Sequence, residues 1–262
     1  MRLLFWRRRR VPVLRLHGVL AAQLGPLNIE AYGKLIDAAF RAAGKGGTVV
    51  LDIDSPGGSP VQSDLIAARI RRRAGENGGK VIAVIAETAA SGGYWVACAG
   101  DEIVAHPMSV VGSIGVRGGG FGFDRVLDRL GVQRRLYTAG ANKARFDPFS
   151  PERKEDVAFA RALMADLHVR FKDWVRTQRG DRLKGDEAEV FDGSFCLGDR
   201  ALALGLIDRF GDLEAVVRDI GGERAEPQVF RPRRRGLLGR LPRMAVDGVF
   251  DALEARAGVR LG

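Results

Sequence analysis

Along this chain the spacing of apolar side chains switches repeatedly between the two-residue period of a strand and the 3.6-residue period of a helix. Val11, Val13, Leu14 and Leu16 predict a first strand over 11–17. Ile29, Tyr32, Leu35, Ile36, Ala39 and Phe40 follow at helical spacing, with Asn28 placed to cap the helix and Gly44-Lys45-Gly46-Gly47 to stop it. Thr48–Asp54 predicts a second strand running into Ser55-Pro56-Gly57-Gly58, and Ser59–Arg73 a second helix with Leu65, Ile66 and Ile70 on one face. Val81–Ala86, rich in β-branched residues, predicts a buried third strand. Strand, helix, strand, helix in this order specifies an α/β fold of βαβ units around a mainly parallel sheet, with functional loops at the carboxyl ends of its strands.

Further on, Tyr94–Gly100 predicts a short helix, Asp101–Ala105 and Val110–Val116 short strands, Phe123–Leu130 a helix and Val132–Thr138 a strand. Ser150-Pro151-Glu152, with Ser150 placed to cap, opens a long helix over 151–178, in which Val157, Ala160, Leu163, Met164, Leu167, Phe171 and Val175 keep helical spacing. Asp199–Leu204 and Leu213–Ile220 predict two more helices. From Glu223 the composition turns Pro- and Arg-rich, and Met244–Ala257 is amphipathic, with Val246, Val249, Phe250 and Leu253 on one side. Three segments are expected: a basic stretch over 1–10, one domain over 11–222, and a basic linker with an amphipathic helix over 223–262.

The formal charge of +10 would suggest a nucleic-acid binder if it were spread over the molecule. Arg2, Arg7, Arg8, Arg9, Arg10 and Arg15 lie within 1–16, and Arg231, Arg233, Arg234, Arg235, Arg240 and Arg243 within 227–243, with no acid in either stretch. These twelve residues exceed the whole net charge and leave the remainder at −2. No aromatic residues are interleaved with these arginines as a stacking platform for single strands, so an anionic membrane surface ranks above nucleic acid as their partner. Met1–Arg10 holds only four apolar residues in a row, too few for a signal-peptide core or a membrane span, and no other stretch approaches eighteen. The expected location is cytoplasmic, or peripheral on the cytoplasmic membrane. Two distant cysteines, Cys98 and Cys196, imply no disulfide framework.

The candidate chemistry centres on Ala89-Ala90-Ser91-Gly92-Gly93-Tyr94-Trp95, at a strand-to-helix transition where unpaired N–H groups favour developing negative charge. Ser91 has two readings, a helix cap before a flexible turn or a nucleophile. None of the three histidines has the setting of a triad member: His17 lies on the first strand, His106 before a proline, His168 on the long helix. Lysine is the alternative base, and a lysine acts so only as the free amine, a state that burial favours. Lysine is scarce beside arginine, and Lys143 stands among the small residues Ala141, Asn142 and Ala144; alone, it reads more readily as a surface lysine than as a base.

Taken together, Ser55-Pro56-Gly57-Gly58, Ala90-Ser91-Gly92-Gly93-Tyr94, Gly112-Ser113-Ile114-Gly115-Val116 and Lys143 followed by Asp147-Pro148-Phe149 resemble, in this order, the bacterial signal peptide peptidase family of serine-lysine peptidases. The resemblance covers 11 to about 220 and implies a fold like that of the Clp proteases and crotonases. It implies Ser91 as nucleophile, Lys143 as general base, Ser113 as a hydroxyl that holds the lysine, and the backbone N–H groups of Gly58 and Gly92 as oxyanion donors. It implies no cofactor or metal. It further implies a ring of identical subunits acting on cleaved signal peptides or other short, unfolded, apolar peptides. Two rivals stand beside it: a crotonase-like acyl-CoA enzyme, whose paired glycine-loop N–H groups need neither Ser91 nor Lys143, and a catalytically silent scaffold bound to membrane by its basic ends. If the ends attach the protein to anionic membrane, co-sedimentation with phosphatidylserine vesicles is lost when both are removed and falls with added salt; unchanged sedimentation would count against the attachment.

Overall fold

The computed structural model describes residues 9–22 and 27–232. The described residues divide into two compact units, one built from those up to Gly115 together with 170–232, the other from Val116–Val169.

The first unit is organised by one eight-stranded sheet. Strand β1 (Arg10–His17), helix α1 (Ile29–Ala43), strand β2 (Val49–Ser55), helix α2 (Pro60–Asn77) and strand β3 (Val81–Ala90) repeat the βαβ alternation of the sequence. Asn28 Oδ1 accepts the Ala31 N–H at 2.8 Å, which starts α1 as its spacing predicts. Ser59 does the same for α2, with Pro60 in the first turn where its missing N–H costs nothing. After β3 come helix α3 (Gly92–Ala97), strand β4 (Glu102–Ala105) and strand β5 (Val110–Gly112). Helix α6 (Glu187–Val190), strand β6 (Phe195–Leu197), helix α7 (Gly198–Ala203), strand β7 (Arg209–Phe210), helix α8 (Leu213–Gly221) and strand β8 (Glu226–Phe230) complete this unit after the long helix. The sheet order is β6-β5-β3-β2-β1-β8, with β4 paired to β3 and β7, and every pairing is parallel except β5 with β6. β8 pairs with β1 from Arg10↔Glu226 to Leu14↔Phe230, so the sheet continues beyond the boundary expected at 222. The Pro- and Arg-rich composition that marked the boundary begins inside an edge strand, where Pro227 is tolerated.

One face of the sheet, with Leu14, Leu16, Leu51, Ile53, Ala83 and Ile85, packs on α1, α2 and α3 in the main core. The other, with Val11, Val13, Val50, Ile82 and Val84, packs on Val216 and Val217 of α8. Beneath α3 lies a polar anchor. Arg179 is 1% exposed, and its guanidinium donates to both oxygens of Asp208 at 2.8 Å and to the Gly205 carbonyl at 2.8 and 2.9 Å. The Tyr94 hydroxyl donates to Leu206 O at 2.8 Å in the same layer. Burial pushes the Asp208 carboxyl up, but the Arg179 hydrogen bonds and charge and the Ile103 N–H outweigh it and hold it below the ordinary carboxylate range.

The second unit contains helix α4 (Asp124–Arg129) and the start of helix α5 (Lys154–Arg179), which continues into the first unit from Arg170. Several expectations are corrected here and nearby. Val132–Thr138 forms no strand: it pairs with no strand among the described residues, and Val132, Leu136 and Tyr137 are exposed. β5 stops at Gly112, because Ser113 turns the backbone to φ 52°. Ser150 does not cap α5: the helix starts at Lys154 and the Ser150 hydroxyl donates instead to Asp147 at 2.8 Å. β6 was not foreseen, since three residues are too few to show a period. The amphipathic stretch 244–257 and most of the two arginine clusters lie outside the described residues.

Removing one partner of a buried ion pair strands the other, so Arg179→Ala should lower stability by about 3 kcal/mol in urea denaturation. A carboxyl held low in the folded state contributes stability that is present above the unfolded value of about 4 and lost as pH falls through the folded value. The deficit of Arg179→Ala should therefore narrow when unfolding is measured below about pH 4.

Candidate active site

Two turns at the carboxyl ends of neighbouring parallel strands build the site. β2 and β3 run in register from Val49↔Val81 to Ile53↔Ile85, then shift so that Ser55 faces Ala89. At that bulge the chain leaves the sheet through Pro56, and the buried Ser55 hydroxyl accepts the Gly57 N–H at 3.2 Å, folding the turn back on itself. Gly57 and Gly58 take φ values of 106° and 135°, which a side chain would strain. Leu20 clamps the turn: its N–H donates to Gly57 O at 2.9 Å, and its carbonyl accepts the Ser59 N–H at 2.7 Å.

β3 ends at Ala90, and Ser91 follows at φ 50°, ψ −122°, a conformation an L-residue adopts only when its surroundings impose it. Its N–H donates to Gly112 O at 2.8 Å, its carbonyl accepts the Trp95 N–H at 3.0 Å, and the residue is 5% exposed. Although it stands in the cap position of α3, its side chain makes no cap hydrogen bond, so the helix-cap reading fails. α3 is only six residues long, shorter than the helix expected over Tyr94–Gly100, and its dipole is correspondingly small. What remains at the turn is the pair of individual N–H groups. A Cβ on Gly57 would stand 2.8 Å from both Gly92 N and Ser91 Cβ, so the Pro56–Gly58 turn lies directly against Ser91 and Gly92. A Cβ on Gly92 would stand 3.4 Å from Gly58 N and 2.4 Å from the buried Ser63 hydroxyl. Neither the Gly58 nor the Gly92 N–H donates to a protein acceptor among the described residues.

Ser113 adjoins this group. Gly112 pairs with Ala90 across β5 and β3, and Ser113 follows in a left-handed conformation held by its N–H to Ser194 O at 2.7 Å. Ser91, Gly58, Gly92 and Ser113 thus all belong to the first unit. Lys143 belongs to the second, exposed in a turn where its N–H donates to Gly140 O at 3.2 Å. Two histidines are engaged elsewhere: His17 Nε2 lies 3.1 Å from the buried Asp52 carboxylate, and His106 Nδ1 accepts the Met108 N–H at 3.1 Å. The second unit also carries a groove of about 260 Å³, with Phe121, Phe146, Val157 and Leu163 and the charged residues Asp147, Glu152, Arg153 and Asp156 among its lining.

Two residues of the site, Leu20 and Ser63, were missed in the sequence. Leu20 lies in a connection with no periodicity. Ser63 gave a signal, a small polar residue on the α2 face that carries Ile66 and Ile70, and Gly57 was seen only as part of its turn. Because a Cβ on Gly57 meets backbone and Ser91, Gly57→Ala should lower stability by about 2 kcal/mol or more. Gly75→Ala, in α2 with nothing within 4 Å of the new methyl, should be neutral or stabilising by up to about 1 kcal/mol. Paired urea melts check both, and equal effects would deny the close contact.

The chain is 44% identical over 242 residues to the Na(+)/H(+) antiporter NhaA of Brucella abortus, covering 90% of this chain and 32% of that protein. It is 29% identical over 220 residues to the chloroplastic serine protease SPPA of Arabidopsis thaliana, again spanning 32% of the relative. It thus spans about a third of the length of each. Among solved structures, the 1510-N membrane-bound stomatin-specific protease, as a variant in complex with a substrate peptide, superposes with a TM-score of 0.52 at 13% identity, over 94% of this chain and 98% of that one. That likeness establishes the α/β fold shared with this protease. The model of Peptidase family S49 matches residues 73–224, and with β3, Ser91, Ser113 and Lys143 inside the match, the chain belongs to Peptidase family S49.

Proposed function

We propose that this chain is a serine endopeptidase in which Ser91 is the nucleophile and Lys143 the general base. The observation that carries the reading is Ser91 itself, held in a strained turn with its side chain not spent on capping and two glycine N–H groups beside it. In the proposed reaction Ser91 Oγ attacks the peptide carbonyl while its proton passes to the amine of Lys143. The negative charge that forms on the carbonyl oxygen is met by the N–H groups of Gly58 and Gly92, worth about 10²–10³ in rate for each such donor. Lys143 returns the proton to the leaving amine, and water attacks the acyl-enzyme by the same route in reverse. Ser113 holds the lysine by hydrogen bonding.

The substrates are cleaved signal peptides or other short, unfolded, apolar peptides. The working form is a ring of identical subunits, cytoplasmic or resting on the membrane through its basic ends; no helix among the described residues is long and apolar enough to cross a membrane. In the crotonase-like alternative the two glycine N–H groups serve a thioester and Ser91 is idle.

Ser91→Ala and Lys143→Ala should each reduce hydrolysis of an apolar peptide pool by about 10³-fold or more, and Ser91→Ala should abolish labelling by a fluorophosphonate probe. Full peptidase activity in either variant overturns the assignment. Turnover of an acyl-CoA that survives both changes would favour the crotonase-like reading.

A further inference from the structure

We propose that Arg145 is a positioning residue for Lys143, its guanidinium tying the lysine turn to the buried Asp156 of α5. The inference rests on the reading of Lys143 as the base.

The turn that carries Lys143 has little of its own to define it. No strand or helix includes residues 139–146, and its main-chain hydrogen bonds, Lys143 N–H to Gly140 O at 3.2 Å and Arg145 N–H to Asn142 O at 3.4 Å, are long. Phe146 is at φ 60°, left-handed for a bulky residue, so the chain leaves the turn under strain. A conformation of this kind persists only where neighbours over-determine it.

Arg145 supplies that determination from both sides of the lysine. Toward the turn, its Nε and one terminal nitrogen donate to Asn142 Oδ1 at 3.2 and 3.0 Å, so the residue before Lys143 is joined to the second residue after it. Toward the helix, Nε lies 3.5 Å from Asp156 Oδ1, and the guanidinium stands 4.2 Å over the Phe159 ring. Asp156 is 6% exposed and is itself held by Arg153 Nε at 2.9 Å, so it is a fixed point. Phe146 closes the bracket, its ring 6.2 Å from that of Phe159. A lysine carries four rotatable bonds between backbone and amine, so a loose turn multiplies the uncertainty in where its nitrogen stands. Arg145 removes the backbone part of that uncertainty, its Nε shared between the Asn142 amide oxygen and the Asp156 carboxylate.

The measurement is steady-state hydrolysis of an apolar peptide by the full chain carrying Arg145→Met, Arg145→Lys, Asn142→Ala, and Arg145→Met combined with Lys143→Ala, with thermal midpoints for each. Arg145→Met is expected to lower kcat by about tenfold or more with KM within about twofold, since misplacement of a catalytic group falls on the chemical step. Asn142→Ala, an exposed change that spares the helix contact, should lower kcat in the same sense with an unchanged midpoint, and Arg145→Lys should recover only part of the loss. In the Lys143→Ala background Arg145→Met should change nothing further, because its effect passes through the lysine. Arg145→Met or Asn142→Ala with kcat within twofold of the parent, while Lys143→Ala is inactive, overturns the positioning role and leaves the base assignment standing. Full activity in Lys143→Ala overturns both.

Discussion

Everything in the first unit serves one close contact: the main chain of Pro56–Gly58 lies against Ser91 and Gly92 at distances that leave no room for a side-chain carbon. β2 and β3 must be adjacent and parallel for their carboxyl ends to meet, and the register shift at Ser55 must turn the chain out where Ser91 leaves β3. The Leu20 bridge then holds one turn, and the hydrogen bond from Ser91 N–H to Gly112 O holds the other. Two N–H donors converge because the backbones themselves converge, which is why glycine and not a polar side chain occupies these positions.

A contact of that kind needs a rigid floor, and α3 is too short to be stable alone. It is pinned instead by neighbours distant in sequence. Trp95 stacks on Trp174 at 5.9 Å and tilts against Phe171 at 5.1 Å, and Trp174 Nε1 donates to the Trp95 carbonyl. Tyr94 and Arg179 bond the layer formed by Gly205, Leu206 and Asp208. Cys98, packed in the same layer, has its thiol pushed up to about 12 by burial and serves as a small apolar filler.

The βαβ core was legible because its elements are long enough to show a period, and Asn28 marked the start of α1. The turns carrying Ser91 and Gly58 were legible from their residue types, since paired glycines after an apolar run mark a backbone that must bend. What escaped was set by partners remote in sequence. β6 exists because β5 offers it an edge, β8 because β1 does, and Val132–Thr138 forms no strand because no such edge meets it among the described residues. The hydroxyl of Ser63 under Gly92 is a tertiary fact that no local pattern encodes, as is the tie from Arg145 to Asp156.

The Gly57 contact also bears on how this protein tolerates change. Most functional groups are lost by deletion, when a side chain is shortened or its charge removed, and related residues can stand in for them. Here the essential property is the absence of atoms, so every replacement is an addition, and the smallest already brings a methyl group to 2.8 Å from Ser91 Cβ and Gly92 N. No conservative neighbour exists in the space of sequences at that position. A change along this stretch can be absorbed only where the side chain points away from the crossing.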